Sequence, residues 1–175
     1  MRRRKILIAI LIAAAVACAL LFWHMVRLAG SMPVVRETHL SVRYPDGVPR
    51  RPIRIALISD THMSGPDNLP VRLERIVTAV NAQHPDLVLL AGDYLGNDKL
   101  LGRRYSPAES TAPFARLRAP LGVLAVLGNH DYWDGSASAV RAGLERVGVT
   151  VLVNRAVRRG PLAIGGVDDV IHGRP

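Results

Sequence analysis

The apolar positions of the chain fall into one long block and several short ones. Residues Ile6 to Trp23 (ILIAILIAAAVACALLFW) form an uncharged run of 18 residues, long enough to cross a bilayer core of about 30 Å as a helix. Residues 28–52, with Pro33, Pro45, Pro49 and Pro52, read as a connector, and the β-branched stretch Val34 to Tyr44 inside it predicts an edge strand. Beyond Pro52, short apolar runs alternate with helical periodicity. Strands are predicted over Ile53–Ser59, Leu87–Ala91, Val123–Leu127, Val149–Val153 and Leu162–Val167, and helices over Val71–Gln83, Ser106–Arg118 and Ser136–Val147. The strand runs are nearly continuous in apolar residues, which marks a sheet covered on both faces. Their alternation with helices makes the fold class α/β with a mainly parallel sheet. Three regions result: a basic N-terminus and membrane segment (1–27), the connector (28–52) and an α/β domain (53–175).

Charge sharpens the membrane reading and weakens another. The chain carries +9 overall, with 23 Lys and Arg against 14 Asp and Glu. Arg2, Arg3, Arg4, Lys5 and Arg27 give residues 1–27 a net +5, which leaves +4 over the remaining 148 residues. A nucleic-acid-binding surface needs a concentrated basic stripe, and these later arginines are scattered among acids, so no specific nucleic-acid partner is expected. The MRRRK leader places the N-terminus in the cytoplasm and the following domain on the outer side of a bacterial inner membrane. The segment reads as an uncleaved signal anchor, with cleavage near Leu28-Ala29-Gly30-Ser31 as the alternative. Cys18 is the one cysteine, which excludes an intrachain disulfide scaffold and a Cys-based zinc or iron–sulfur site.

Three of the predicted strands end in similar polar punctuation: Ser59-Asp60-Thr61-His62, Gly92-Asp93 and Gly128-Asn129-His130-Asp131. Ligand sites of open α/β sheets lie beyond the carboxyl ends of the strands, so neighbouring strands would bring Asp60, His62, Asp93, Asn129 and His130 into one pocket. Carboxylate, imidazole and amide donors without thiolates suit a pair of divalent ions, Mn, Fe, Zn or Mg. If the first strand continues through Asp60-Thr61-His62, both side chains point the same way and reach one ion. Each motif alone is an ordinary turn or cap; their joint occurrence, each after an apolar strand and at helix-sized intervals, is what carries weight.

The motifs SDTH (59–62), GD (92–93) and GNHD (128–131) resemble those of the calcineurin-like metallophosphoesterases. The stretches AGDY (91–94), GVLAVLGNHDYW (122–133) and GVDDV (166–170) are similar to the membrane-anchored bacterial branch, which includes phosphodiesterases and UDP-2,3-diacylglucosamine hydrolase-like enzymes. The resemblance implies the N-terminal half of a two-sheet sandwich flanked by helices. It also implies hydrolysis of a phosphodiester, phosphomonoester or pyrophosphate bond by a hydroxide held on two metals. Asp60 and His62 would hold the first ion, Asp93 would bridge both and Asn129 would hold the second. His130 would face the phosphate and protonate the leaving oxygen, and Asp131 would orient His130. A phosphate-ester or lipid-linked small molecule is the implied substrate.

The same resemblance exposes a gap. The family uses further histidines, one after a later strand and a Gly-His-x-His motif, whereas the only histidine after His130 is His172, followed by Gly173. His172 reads as a surface residue. The expectation is a chain cut short of a longer protein, with little phosphoesterase activity by itself and an apolar sheet face left uncovered. The competing reading is a non-catalytic, membrane-anchored binding module with a degenerate metal site.

Overall fold

The structure is a computed structural model and describes residues 2–42, 51–96 and 102–174. The chain divides into two compact units, Met1–Ser31 and Met32–Pro175.

The first unit is one helix, α1 (Arg2–Ala29). Its Ala, Leu and Ile content favours helix throughout, and it stops before Gly30, whose N–H closes the last turn on Val26 at 2.9 Å. The helix has a mean hydropathy of 2.9 over its most apolar window. Its 28 residues extend about 42 Å, so it is long and apolar enough to cross a membrane.

The second unit begins without regular structure. Residues 32–42 form no strand, so the edge strand expected from Val34 is absent as far as residue 42; Arg43 and Tyr44 lie outside the described residues. Val34, Val35, Leu40 and Val42 are all exposed. Without a neighbouring strand to pair with, β-branched content alone does not make a strand.

Four short strands, β1 (Ile55–Ile58), β2 (Leu87–Leu90), β3 (Val123–Ala125) and β4 (Thr150–Val151), then form one sheet in the order β1-β2-β3-β4. All three pairings are parallel, with Ile58 opposite Leu90 and Leu90 opposite Ala125. Three helices complete the βα alternation. In α2 (Pro70–Asn81) Leu73, Ile76 and Val77 are buried, a stripe one helical turn wide. The Ser106–Glu109 capping box starts α3 (Pro107–Thr111). The helix expected to run on to Arg118 narrows to a 3-10 turn over Ala112–Arg116, because Pro113 has no N–H to continue the α-helical ladder. In α5 (Ala137–Arg146) Val140 and Leu144 face inward.

The pleat sorts the sheet's side chains to two faces. Ile58, Val88, Leu90 and Ala125 join Leu73, Val77, Phe114, Val140 and Leu144 in the larger core, under the helices. Leu87, Leu124 and Leu152 form a second core on the opposite face. The predicted strand over Leu162–Val167 is β6 (Leu162–Gly166), but its partner β5 (Arg155–Arg159) is not apparent from apolar patterning, since it reads RAVRR. The two pair antiparallel through the two-residue loop Gly160-Pro161, with Gly160 at φ 55°, the sign that the first residue of a type II′ hairpin turn requires. Val157, Leu162 and Ile164 pack on the second core. The hairpin thus covers most of the face expected to be bare. Ile55 and Leu57 of β1 stay 45% and 67% exposed.

Candidate metal centre

The loops bearing the predicted residues all leave the carboxyl end of the sheet, and the backbone knits them together. Asp60 N–H donates to Gly92 O at 3.2 Å, His62 N–H to Asp93 O at 3.0 Å and Met63 N–H to Tyr94 O at 2.9 Å. The β1 and β2 loops therefore run on side by side after the strands end. β1 stops at Ile58, so Asp60 and His62 are not aligned by a continuing pleat as expected. They turn inward from the left-handed region instead, with φ of 55° and 38°, and Asp93 joins them at 58°. Three non-glycine residues thus hold left-handed backbone at one place, a conformation that clusters at functional sites.

The β3 loop closes against the β2 loop through two glycines. A Cβ on Gly128 would lie 2.1 Å from Asp93 Oδ1, and one on Gly92, at φ 94°, would lie 2.5 Å from Gly128 N. Only hydrogen fits between these loops. Gly128 then starts a single turn, α4 (Asn129–Tyr132), with Asn129 half-buried at its first position.

His62, Asp93 and His130 each offer a ligand atom, all within 4.8 Å of one another. His62 Nε2 lies 3.5 Å from Asp93 Oδ2 and 3.6 Å from Asp60 Oδ1. The other Asp93 oxygen accepts the backbone N–H of His130 at 3.0 Å. Asp60 Oδ2 accepts the Ser59 hydroxyl at 2.5 Å. The His62 and His130 rings meet edge to face with centroids 4.4 Å apart, and Trp133 lies along His130 at 4.1 Å and 32°. The half-buried carboxylate of Asp93 and imidazoles of His62 and His130 converge here, with exposed Asp60 beside His62, and carboxylate with imidazole is a donor set that fits a divalent cation of borderline hardness.

Asp131 is fully buried. Its Oδ2 accepts the N–H groups of Asp93 (3.0 Å) and Gly128 (2.9 Å), and its Oδ1 those of Tyr94 (2.9 Å) and Leu95 (3.2 Å). Burial pushes its pKa up, opposed by those four donors. These bonds tie the two loops to each other, a broader task than the orientation of one ring. Tyr94 is buried with its hydroxyl on Val126 O at 2.9 Å, and burial raises its pKa well above the usual phenol range. Neither Tyr94, Tyr132 nor Trp133 figured among the expected site residues. They stand in the AGDY and GNHDYW stretches, but no local rule marks a tyrosine or tryptophan after such motifs as part of a site. His172 is exposed, with Nδ1 3.4 Å from Asp169.

A parallel sheet presenting acids and imidazoles at its carboxyl end is the arrangement expected of the metallophosphoesterase class, and the chain also carries an N-terminal helix long and apolar enough to cross a membrane. The profile of the calcineurin-like phosphoesterase family matches residues 53–173, and the chain belongs to that family. F40B5.2 of Caenorhabditis elegans, which carries a metallophosphoesterase name, is 36% identical over 122 residues, 67% of this chain and 24% of that protein. The transmembrane protein with metallophosphoesterase domain of Danio rerio is 30% identical over 125 residues, 67% of this chain and 27% of its own length. The UDP-2,3-diacylglucosamine pyrophosphatase LpxG of Chlamydia trachomatis is 34% identical over 82 residues, 46% of this chain and 23% of LpxG. The chain thus spans about a quarter of the length of these relatives.

Proposed function

We propose that this chain serves a membrane-anchored, metal-dependent phosphoesterase that hydrolyses a phosphate ester or pyrophosphate bond. The observation that carries the reading is the convergence of His62, Asp93 and His130 within 4.8 Å, with Asp60 against His62. Asp60, His62, Asp93 and Asn129 would hold two divalent cations, with the Asp93 carboxylate between them. Cations bound there supply positive charge for the phosphoryl oxygens and acidify a water molecule. Toward the substrate, His130 would stand over the phosphate and give a proton to the leaving oxygen. Ring contacts with Trp133 and His62 support that role by restricting the His130 ring. The Ser59 hydroxyl on Asp60 Oδ2 leaves Oδ1 turned toward His62.

The named activity of LpxG, cleavage of a lipid-linked nucleotide pyrophosphate, supports a lipid-linked or nucleotide-activated substrate. The helix α1 supports anchoring at the bilayer where such substrates are found. The MRRRK leader supports a cytoplasmic N-terminus and a domain on the outer face of a bacterial inner membrane, which disfavours a substrate confined to the cytoplasm.

The test uses the full chain in detergent, with manganese and bis-p-nitrophenyl phosphate. Turnover that EDTA abolishes and Mn²⁺ restores supports the reading. One observation favours a second reading, a membrane-anchored module that binds a cation without turnover. Among the described residues the His, Asp and Glu donors form one compact group, enough for a single ion. Stoichiometric binding of one Mn²⁺ with no hydrolysis of either a diester or a pyrophosphate decides for it only where the chain is joined to a segment carrying the family's further histidines, since little turnover is expected of this chain by itself.

A further inference from the structure

Tyr132 ends the α4 turn, two positions after His130. Its hydroxyl donates to Asp168 Oδ1, a residue 36 positions away in the chain, in the turn that follows β6. Asp168 has no part in the function proposed above. It is nonetheless one of the more firmly held carboxylates in the domain. Its Oδ1 also accepts the Asp169 N–H at 3.0 Å, its Oδ2 accepts the Arg174 N–H at 2.9 Å, and its own N–H donates to Asn154 Oδ1 at 2.9 Å. Asn154 in turn donates through Nδ2 to Arg174 O. Tyr132 therefore leans on a fixed acceptor and not on a surface side chain free to swing.

The turn that Tyr132 ends needs outside support. Four residues make one turn, which cannot hold itself by helical hydrogen bonds alone. On its inner side Asp131 ties it to the β2 loop. Directly after it, Trp133 lies against His130. Tyr132 stands between these two and faces the β6 turn. A shift at Tyr132 would carry with it the backbone that aims both His130 and Trp133.

We infer that Asp168, acting through the Tyr132 hydroxyl, is a positioning residue for the Asn129–His130 turn, fixing the amide and the imidazole where a divalent cation and a phosphate group would meet them. The inference rests on the metal reading given under the proposed function. Residues that orient a metal-binding group from behind usually carry a measurable share of metal affinity, about 10- to 100-fold on removal.

The experiment measures Mn²⁺ binding calorimetrically on the full chain in detergent, for wild type, Tyr132→Phe, Asp168→Ala and the double variant. Hydrogen exchange over residues 128–133 is followed on the same samples without metal. Tyr132→Phe removes one oxygen and leaves the ring in place. Expected are about tenfold weaker Mn²⁺ binding, faster exchange over 128–133, and a double variant no worse than the weaker single one, as for two residues acting as one unit. Tyr132→Phe that binds Mn²⁺ like wild type overturns the inference, even if its melting temperature falls, because the pair is then a structural brace only. If Asp168→Ala does not fold, the Tyr132→Phe result decides. A wild-type chain that binds no Mn²⁺ overturns the metal reading itself and this inference with it, an outcome distinct from equal binding by both.

Discussion

Asp131 and Asp93 hold each other's loops in place. The Asp131 carboxylate accepts the backbone N–H of Asp93 at 3.0 Å, and the Asp93 carboxylate accepts the backbone N–H of His130 at 3.0 Å, next to Asp131. The exchange fastens the β2 loop to the β3 loop on both sides. One Asp93 oxygen is set by this contact, and the other is left facing His62. The carboxylate at the centre of the cluster is thus oriented by the fold before any cation arrives, which is how a donor set keeps its affinity.

Asp131→Asn should be among the most damaging changes in the domain. The new amide would turn two N–H donors toward backbone N–H groups in a fully buried position. We expect a loss of about 2–4 kcal/mol, read by urea unfolding, together with loss of Mn²⁺ binding. Unchanged stability would show that the loops hold without the carboxylate.

Asp93→Asn tests the cluster itself. The amide keeps the shape and an acceptor for the His130 N–H but removes the charge facing His62. Mn²⁺ binding should weaken about 100-fold or more, beyond what loss of an outlying partner costs, with the melting temperature of the metal-free chain little changed. Calorimetry reads the first quantity and circular dichroism the second.

Gly128→Ala separates the site from the fold in another way. The added Cβ would fall 2.1 Å from Asp93 Oδ1 and 2.7 Å from Asp93 N. Backbone on that side cannot yield cheaply, so the two loops must part. The expected outcome is a folded chain with Mn²⁺ affinity down at least tenfold, comparable to losing a residue that orients a ligand.

Acid should unfold the domain partly through Asp86. Its Oδ2 accepts the Arg54 N–H at 2.9 Å and its Oδ1 faces Arg51 at 3.1 Å. The Arg54 N–H first, then Arg51, hold its pKa below the ordinary 3.8. A carboxylate lowered in the fold stabilises it above the unfolded value, and that stability is lost as pH falls through the folded value. Thermal melts from about pH 5 to pH 2 should fall more steeply for wild type than for Asp86→Asn. Near neutral pH the variant should be less stable by roughly 1 kcal/mol.

The covered and the bare part of one sheet face, in register through Leu89, should respond unequally to truncation. Leu124 is 1% exposed in the core beneath the hairpin, whereas Leu57 is 67% exposed. Leu124→Ala should cost about 3 kcal/mol and Leu57→Ser less than about 0.5 kcal/mol, both by urea unfolding. A large cost at Leu57 would show that β1 is covered in solution.

Much of this architecture is legible in local sequence because its causes are local. An 18-residue apolar run makes a helix wherever it is placed, and α1 spans Ile6 to Trp23 within Arg2–Ala29. Apolar runs such as LVLL and VLA form sheet-interior strands because both of their faces are buried. The polar residues that follow are then delivered to the sheet's carboxyl end by connectivity alone. His62, Asp93 and His130 could be named in advance for that reason, and the structure places them together.

Other features depend on partners distant in the chain, to which local patterning is blind. RAVRR becomes β5 because Leu162–Gly166 pairs with it and Val157 finds Leu87, Leu124 and Leu152 beneath. Val34–Val42 has strand-like residues and forms no strand, since no neighbour supplies hydrogen bonds. The inward turn of Asp60 and His62 comes from left-handed backbone that a pleat-based reading cannot anticipate. Asp131 and Tyr132 look alike in sequence, two polar residues after a histidine, yet one is buried among four backbone donors and the other reaches Asp168. Propensity and apolar period set which segments become helix or strand, because those energies are summed over adjacent residues. Which loops touch, and therefore where each donor points, is settled by contacts between residues 30 to 40 positions apart, such as Asp93 with Asp131 and Tyr132 with Asp168.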